Sequence, residues 1–172
     1  MSVASNWVID PTHSEVSFKV KHLVISTVTG YFREFEGSAE AETEDFQGAK
    51  VKFSAKIDSI DTNQKDRDAH LKSADFFDAE NHPNLTFEGH IQGDELVGEI
   101  SIRGTKKPIT LAVDFGGVAG DPYGNTKAGF EISGKLNRKE FGLTWSAVTE
   151  AGSVVVSDQV RLLLSVQLVK QA

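Results

Sequence analysis

Four side chains have the types and spacing to do chemistry: His22, Arg67, Asp68 and His70. Three of them fall within one stretch, residues 62–77, TNQKDRDAHLKSADFF. If that stretch coils, Asp66 and Arg67 neighbour His70 at four and three residues, whereas Asp68 is two away and faces elsewhere. A histidine beside a carboxylate is an acid/base couple. No nucleophile elbow, no HExxH and no His-x-His accompanies it, so an enzyme reading would rest on His70 and a carboxylate alone. The five histidines, His13, His22, His70, His82 and His90, are scattered singly and the chain has no cysteine. No metal-ligand motif is therefore present. The other use for these groups is at the rim of a container. There the Arg67 fork would engage the oxygens of a ligand's polar head. The plainer alternative is that Arg67 and Asp68 pair with loop carbonyls and fix the helix in place.

The elements that must position them read almost entirely as strands. Only residues 62–77 break the period-2 alternation, and they predict one helix of roughly two to three turns. Thr62 or Asn63 is the expected cap, with Leu71, Ala74, Phe76 and Phe77 pressed onto a sheet. Elsewhere apolar residues alternate with polar ones: Val16, Phe18 and Val20; Phe35, Gly37, Ala39 and Ala41; Val51, Phe53, Ala55 and Ile57. The pattern continues through Leu85 to Ile91, Leu96 to Ile102, Ile109 to Phe115, Ala128 to Leu136 and Val160 to Leu168. Tyr31 and Phe32 cannot both obey the parity of the row that follows them, which predicts a bulge near Arg33. Gln47-Gly48 and Gly93-Asp94 are turn signals, and RGTKKP at 103–108 reads as a basic connection. The glycine-rich segment 116–125 lacks the Lys-Ser/Thr of a phosphate loop, and Asp121-Pro122-Tyr123-Gly124 reads as a hairpin tip. A looser loop around Gly152 leads to a last strand, from about Val154 or Val160 to Val169.

About eight long antiparallel strands leave a sandwich or a closed barrel, and their length and sequential hairpins favour an up-and-down barrel. Small inward residues such as Gly89, Gly98 and Gly134 leave room for a lumen, although they also suit a packed core. On the lumen reading, Gly98→Leu folds but binds poorly. The chain of 172 residues is expected to be one domain, 1–172. Its net charge of −7 disfavours general nucleic-acid binding. No signal peptide or transmembrane run is visible, so a cytoplasmic protein that is not a membrane protein is expected.

The blocks WVIDPTHSEVSFKVKH, VTGYFREFEG, IDTNQKDRDAHLKSADFFDAENHPNLTFEG, GEISIRGTKKPITL and LNRKEFGL, in that order, resemble the YceI-like family of lipocalin-like polyisoprenoid-binding proteins. The resemblance covers nearly the whole chain. It implies an all-β fold, an extended eight-stranded antiparallel lipocalin-like barrel with one short inserted α-helix. It also implies a homodimer and a non-catalytic carrier of a hydrophobic lipid. No cofactor is expected. The ligand would be a polyisoprenoid, an isoprenoid quinone or a fatty amide. By position, Val16, Phe18, Val20, Phe76, Phe77, Phe87, Ile100, Ile102, Leu111 and Phe130, joined by Phe53, Ile57 and Leu71, would contact its tail. His22, Arg67, Asp68 and His70 would meet its head. Many relatives carry an export signal that this sequence does not display. The rival readings are an enzyme using His70 on an isoprenoid-type substrate, and a structural or stress-response barrel without a physiological ligand.

Overall fold

The computed structural model describes residues 4–22, 25–74, 76–143 and 156–171, without the side chains of His22 and Val156. The first six strands are β1 (Ser5–Ile9), β2 (Glu15–His22), β3 (Ser26–Phe32), β4 (Phe35–Ala41), β5 (Lys50–Lys56) and β6 (Ile60–Asp61). Helix α1 (Lys65–Lys72) follows. Then come β7 (Asn84–Gln92), β8 (Glu95–Ile102), β9 (Thr105–Gly120), β10 (Thr126–Asn137) and β11 (Val156–Lys170).

The eleven strands behave as eight. Strands β1 and β2 both pair with β11, and their partners on the other side are β4 and β3. Strand β5 pairs with β4, and β6 with β3. Each of these couples is one long strand broken by a kink: Pro11–His13, Arg33–Glu34 and Ile57–Ser59. The meander then runs β5, β7, β8, β9, β10, β11 and closes on β1 and β2, every pairing antiparallel. The result is a closed eight-stranded up-and-down barrel with one helix, and closure leaves no long edge exposed.

Each kink flips the side-chain parity. Trp7 and Ile9 are buried before the first, and Val16 and Phe18 after it. Phe32 is buried before the second, Ala39 and Ala41 after it; Ala55 and Ile57 precede the third, and Ile60 and Thr62 follow. Odd and even positions exchange faces each time, so the bulge expected near Arg33 is one of three lying side by side. Backbone bonds knit the row together, from Lys56 N to Glu34 O at 2.9 Å and from Arg33 N to Ser59 O at 3.1 Å.

The first kink is fixed by Asp10. Its carboxylate accepts from Thr12 N at 3.1 Å and Thr12 Oγ1 at 2.7 Å, contacts His13 Nδ1 at 2.8 Å, and accepts from Lys127 Nζ at 3.0 Å. The Thr12 hydroxyl, then His13 and Lys127, hold this carboxyl well below the usual carboxylate range. A depressed folded-state pKa contributes stability above the unfolded value near 4, and that contribution is lost as pH falls through the folded value. Asp10→Asn is therefore expected to cost about 1–3 kcal/mol near neutral pH. Urea titrations should show the gap to wild type narrowing as pH drops below about 5. A gap independent of pH would remove the charge from this account.

Turns follow the expected chemistry with one correction. The hairpin tip at 121–124 forms, with Gly124 at φ 84 and Asp121 N bonded to Asn125 O at 2.9 Å. RGTKKP is not a connection. Ile102 pairs with Thr105, so the turn is only Arg103-Gly104, at φ 52 and 76, and Lys106 to Pro108 already belong to β9. Two successive positive φ values match the twist of the flanking strands, which a polar composition alone does not reveal. Ser17, expected on the wet face, is buried and donates to Leu163 O at 3.0 Å. Val154 and the loop around Gly152 lie outside the described residues; β11 begins by Val156.

Candidate functional site

The inward rows enclose two adjoining cavities with almost wholly apolar walls. The larger has a volume of about 110 Å³ and the smaller about 80 Å³. Phe18, Phe32, Leu85 and Leu162 border both, so these side chains stand between the two cavities. Of the predicted tail residues, Val16, Phe18, Phe53, Phe87, Ile100, Leu111 and Phe130 line the larger cavity. Val20, Leu71, Phe76, Phe77 and Ile102 line the smaller one with Phe18. Ile57 is buried but lines neither.

Glycines shape this bore differently from the sequence expectation. They do not leave hollows; they let large side chains lie flat on the wall. A Cβ at Gly30 would sit 2.2 Å from the tip of the Phe18 ring, and one at Gly134 would sit 2.2 Å from a Leu111 methyl. Gly89 and Gly98 pair across β7 and β8 under the Phe87 ring, whose tip would lie 2.8 Å from a Cβ on either. A Cβ at Gly98 would also meet Glu88 O at 2.1 Å. Gly98→Leu therefore collides with backbone, and the expectation that it folds is withdrawn.

One end of the bore is closed by Phe46, which the sequence reading missed. It sits in the loop between β4 and β5, at φ 61, with no exposed surface. Its ring packs 4.9 Å from Trp7, 5.6 Å from Phe115 and 5.0 Å from Phe130. The loop is anchored to the β7–β8 hairpin: Gln47 Nε2 donates to Gly93 O at 3.0 Å, Gly93 N to Gln47 Oε1 at 2.8 Å, and Gly48 N to Ile91 O at 2.8 Å. A left-handed phenylalanine is costly, and this anchoring together with complete burial holds it there.

The other end is covered by α1 and the segment after it. The cap is Gln64, whose side chain accepts from Arg67 N, and not Thr62 or Asn63. Thr62 is turned inward and 3% exposed. Asp68 accepts from Thr62 N at 2.8 Å and from the Thr62 hydroxyl. Arg67 donates to Thr62 Oγ1 at 2.8 Å and to Thr62 O. Arg67 and Asp68 thus grip one buried threonine, and the threonine is held where it cannot cap the helix. Leu71 and Phe77 are half-buried and Phe76 is buried; Ala74 is exposed, contrary to expectation. His70 stacks edge-on to Phe76 with ring centroids 5.1 Å apart. Neither Arg67, Asp68 nor His70 lines either cavity. His22 ends β2 opposite Ser26, its side chain outside the described set.

A charged residue does line the helix-end cavity: Arg138, 4% exposed, in the 3-10 turn Arg138–Phe141 that follows β10. It was legible in principle. Arg138 is the next position after Leu136 in the inward row that begins at Ala128. Among the described residues no three His, Asp or Glu side chains gather as a metal site, and no helix is long and apolar enough to cross a membrane.

Comparison with known proteins agrees with this architecture. A UPF0312 protein of Staphylococcus epidermidis is 35% identical over 154 residues, covering 88% of this chain and 90% of that protein. Protein YceI of Salmonella newport is 35% identical over 177 residues, covering 99% and 90%. Among solved structures, a Campylobacter jejuni YceI protein superposes with a TM-score of 0.73 at 30% identity, covering 88% of this chain and 90% of that one. A Saccharophagus degradans polyisoprenoid binding domain, implicated in plant cell wall breakdown, shares the fold at a TM-score of 0.72 and 12% identity, covering 96% and 98%. Residues 7–168 match the YceI-like domain across the closed barrel and its inserted helix, and the chain belongs to the YceI-like family.

Proposed function

We propose that this chain is a non-catalytic carrier that encloses the tail of one single-chain amphiphile of isoprenoid type. The observation that carries the proposal is the carbon-walled barrel interior, with one apolar cavity lined at its end by Phe46 and a second at the helix end, on the other side of Phe18. The same fold serves a polyisoprenoid binding domain in Saccharophagus degradans. A cavity of about 150 Å³ holds a benzene-sized group, so the two cavities together take on the order of eight chain carbons. Enclosing about 300 Å² of apolar tail supplies roughly 7 kcal/mol before ordering costs. An isoprenoid alcohol, an isoprenoid quinone with a short tail or a fatty amide has the required shape.

Organic extraction of the purified chain followed by mass spectrometry tests this directly. The expected result is a single-chain lipid near one equivalent, or uptake of added farnesol into lipid-free protein with a rise in melting temperature. A lipid-free protein that takes up no farnesol would end the carrier reading.

A further inference from the structure

We infer that the helix end of the barrel docks onto an anionic lipid bilayer, with Ile25 of the β2–β3 connection entering the interface and a row of three cations on the outer wall facing the headgroups. The inference adds a partner surface to the carrier reading, and none of its observations depends on an enclosed tail.

The first observation is the tip of that hairpin. Strand pairing runs up to His22 opposite Ser26, and the sequence between the two strands is Leu-Val-Ile. Tight connections are normally built from Gly, Asn, Asp, Ser or Pro, and this one has none of them. The hairpins joining β7, β8, β9 and β10 turn instead through Gly93-Asp94, Arg103-Gly104 and Asp121-Pro122-Tyr123-Gly124. Ile25 is 84% exposed. An aliphatic side chain held that far into water gains by entering the boundary of a bilayer. Val20, two residues before the end of β2, lines the helix-end cavity, so the tip stands at that end of the barrel.

The second observation is on the adjoining wall. Lys19 of β2 is directly opposite Arg161 of β11, and Arg161 is directly opposite Lys135 of β10. Phe18 and Leu162, one position along, line the interior, so the three cations share the outer face. With neighbouring strands about 4.8 Å apart, the three fall within roughly 10 Å. Like charges directly opposed destabilise a sheet. Among the described residues none of these three side chains forms an ion pair or a hydrogen bond. Carboxylates on the same side are engaged or apart: Asp158 lies 3.4 Å from Lys139 Nζ, and Glu131 accepts from Ser165 Oγ at 2.9 Å. Asp94 and Glu95 border the groove lined by Lys135 and Arg161 without pairing with either. Lys21, nearer the tip, is exposed and donates to Thr27 Oγ1 at 3.0 Å. Lys19 is three residues from the end of β2, about 10 Å along the strand, so a tip at the acyl boundary leaves the row at headgroup level. The chain carries a net charge of −7, so an anionic bilayer repels the molecule as a whole and attracts it through such a local patch. The aliphatic tip favours a lipid surface over a soluble polyanion.

The test is binding of the full chain to phosphatidylcholine vesicles with and without phosphatidylglycerol. In cosedimentation the wild-type chain is expected to bind the anionic vesicles at least about tenfold tighter than the neutral ones, and salt should weaken that binding. Replacing Lys19, Arg161 and Lys135 together by Gln should lose at least about tenfold, whereas Lys50→Gln with Lys52→Gln, on β5, should not. The chain has no cysteine, so Ile25→Cys carries a single environment-sensitive fluorophore, which should shift to the blue on anionic vesicles. The same label at Tyr123→Cys, on an 87% exposed residue at the tip of the β9–β10 hairpin, should not shift. Equal affinity of the wild-type chain for the two vesicle types would overturn the inference, and so would binding without a shift at the Ile25 label; neither arm needs the triple variant to fold. Retention on heparin without vesicle binding would assign the row to a soluble polyanion and overturn it too. Farnesol uptake without vesicle binding ends the inference and leaves the carrier reading intact, while vesicle binding without farnesol uptake does the reverse.

Discussion

Gly98→Leu is expected to yield no native barrel. The new Cβ would lie 2.1 Å from Glu88 O and 2.6 Å from the Gly89 Cα, and neither backbone atom can rotate away as a side chain could. Relief requires β7 and β8 to separate, which breaks the register that continues through Phe87 and Ile100. Overpacking of ordinary side chains costs about 1–3 kcal/mol, and a collision with backbone exceeds that range. Against a total stability of about 5–15 kcal/mol, the variant should appear as aggregate, or as a soluble chain without a cooperative melt. Gly129→Ala is the matched control: a Cβ there meets nothing within 4 Å, so its melting curve should stay close to wild type. A cooperative, native-like melt for Gly98→Leu would mean that β7 and β8 are not this close.

Phe46→Ala should lose about 3–5 kcal/mol, the usual cost of emptying a large buried aromatic site. For a chain of this length each kcal/mol lowers the melting temperature by roughly 2–4 °C, so a fall on the order of 10 °C is expected. Because Trp7, Phe115 and Phe130 all rest on this ring, its removal also unblocks the end of the bore. The tail length giving the largest thermal stabilisation, measured with an alcohol series from geraniol to geranylgeraniol, should shift upward in the variant. An unchanged length optimum would show that Phe46 supports the fold without setting the depth of the chamber.

The barrel was legible because alternation is a direct record of which side chains meet the interior, and the rows from Val16 to Leu168 kept that record. What was lost had specific causes. Phe46 belongs to no alternating row; it is a loop residue placed by a left-handed backbone and by anchors 46 residues away. Thr62 was read as a cap from its residue type, but the parity flip at Ile57–Ser59 carries it inside, where Arg67 and Asp68 bind it. Arg67 and Asp68 stand out in the sequence as the charged pair beside a histidine, but they line neither cavity. Arg138, hidden in a basic Asn-Arg-Lys run, occupies the inward position instead.

The aligned kinks have a consequence for how this wall can change. Because three neighbouring strands swap faces at one level, adding or deleting a single residue in one of them would turn half of that strand inside out beside two partners still in step. Length variation along this seam must therefore come in coordinated steps or be absorbed in the connecting loops. The hairpins β7–β8 and β8–β9, which pair without a register shift, are the cheaper place to lengthen the container.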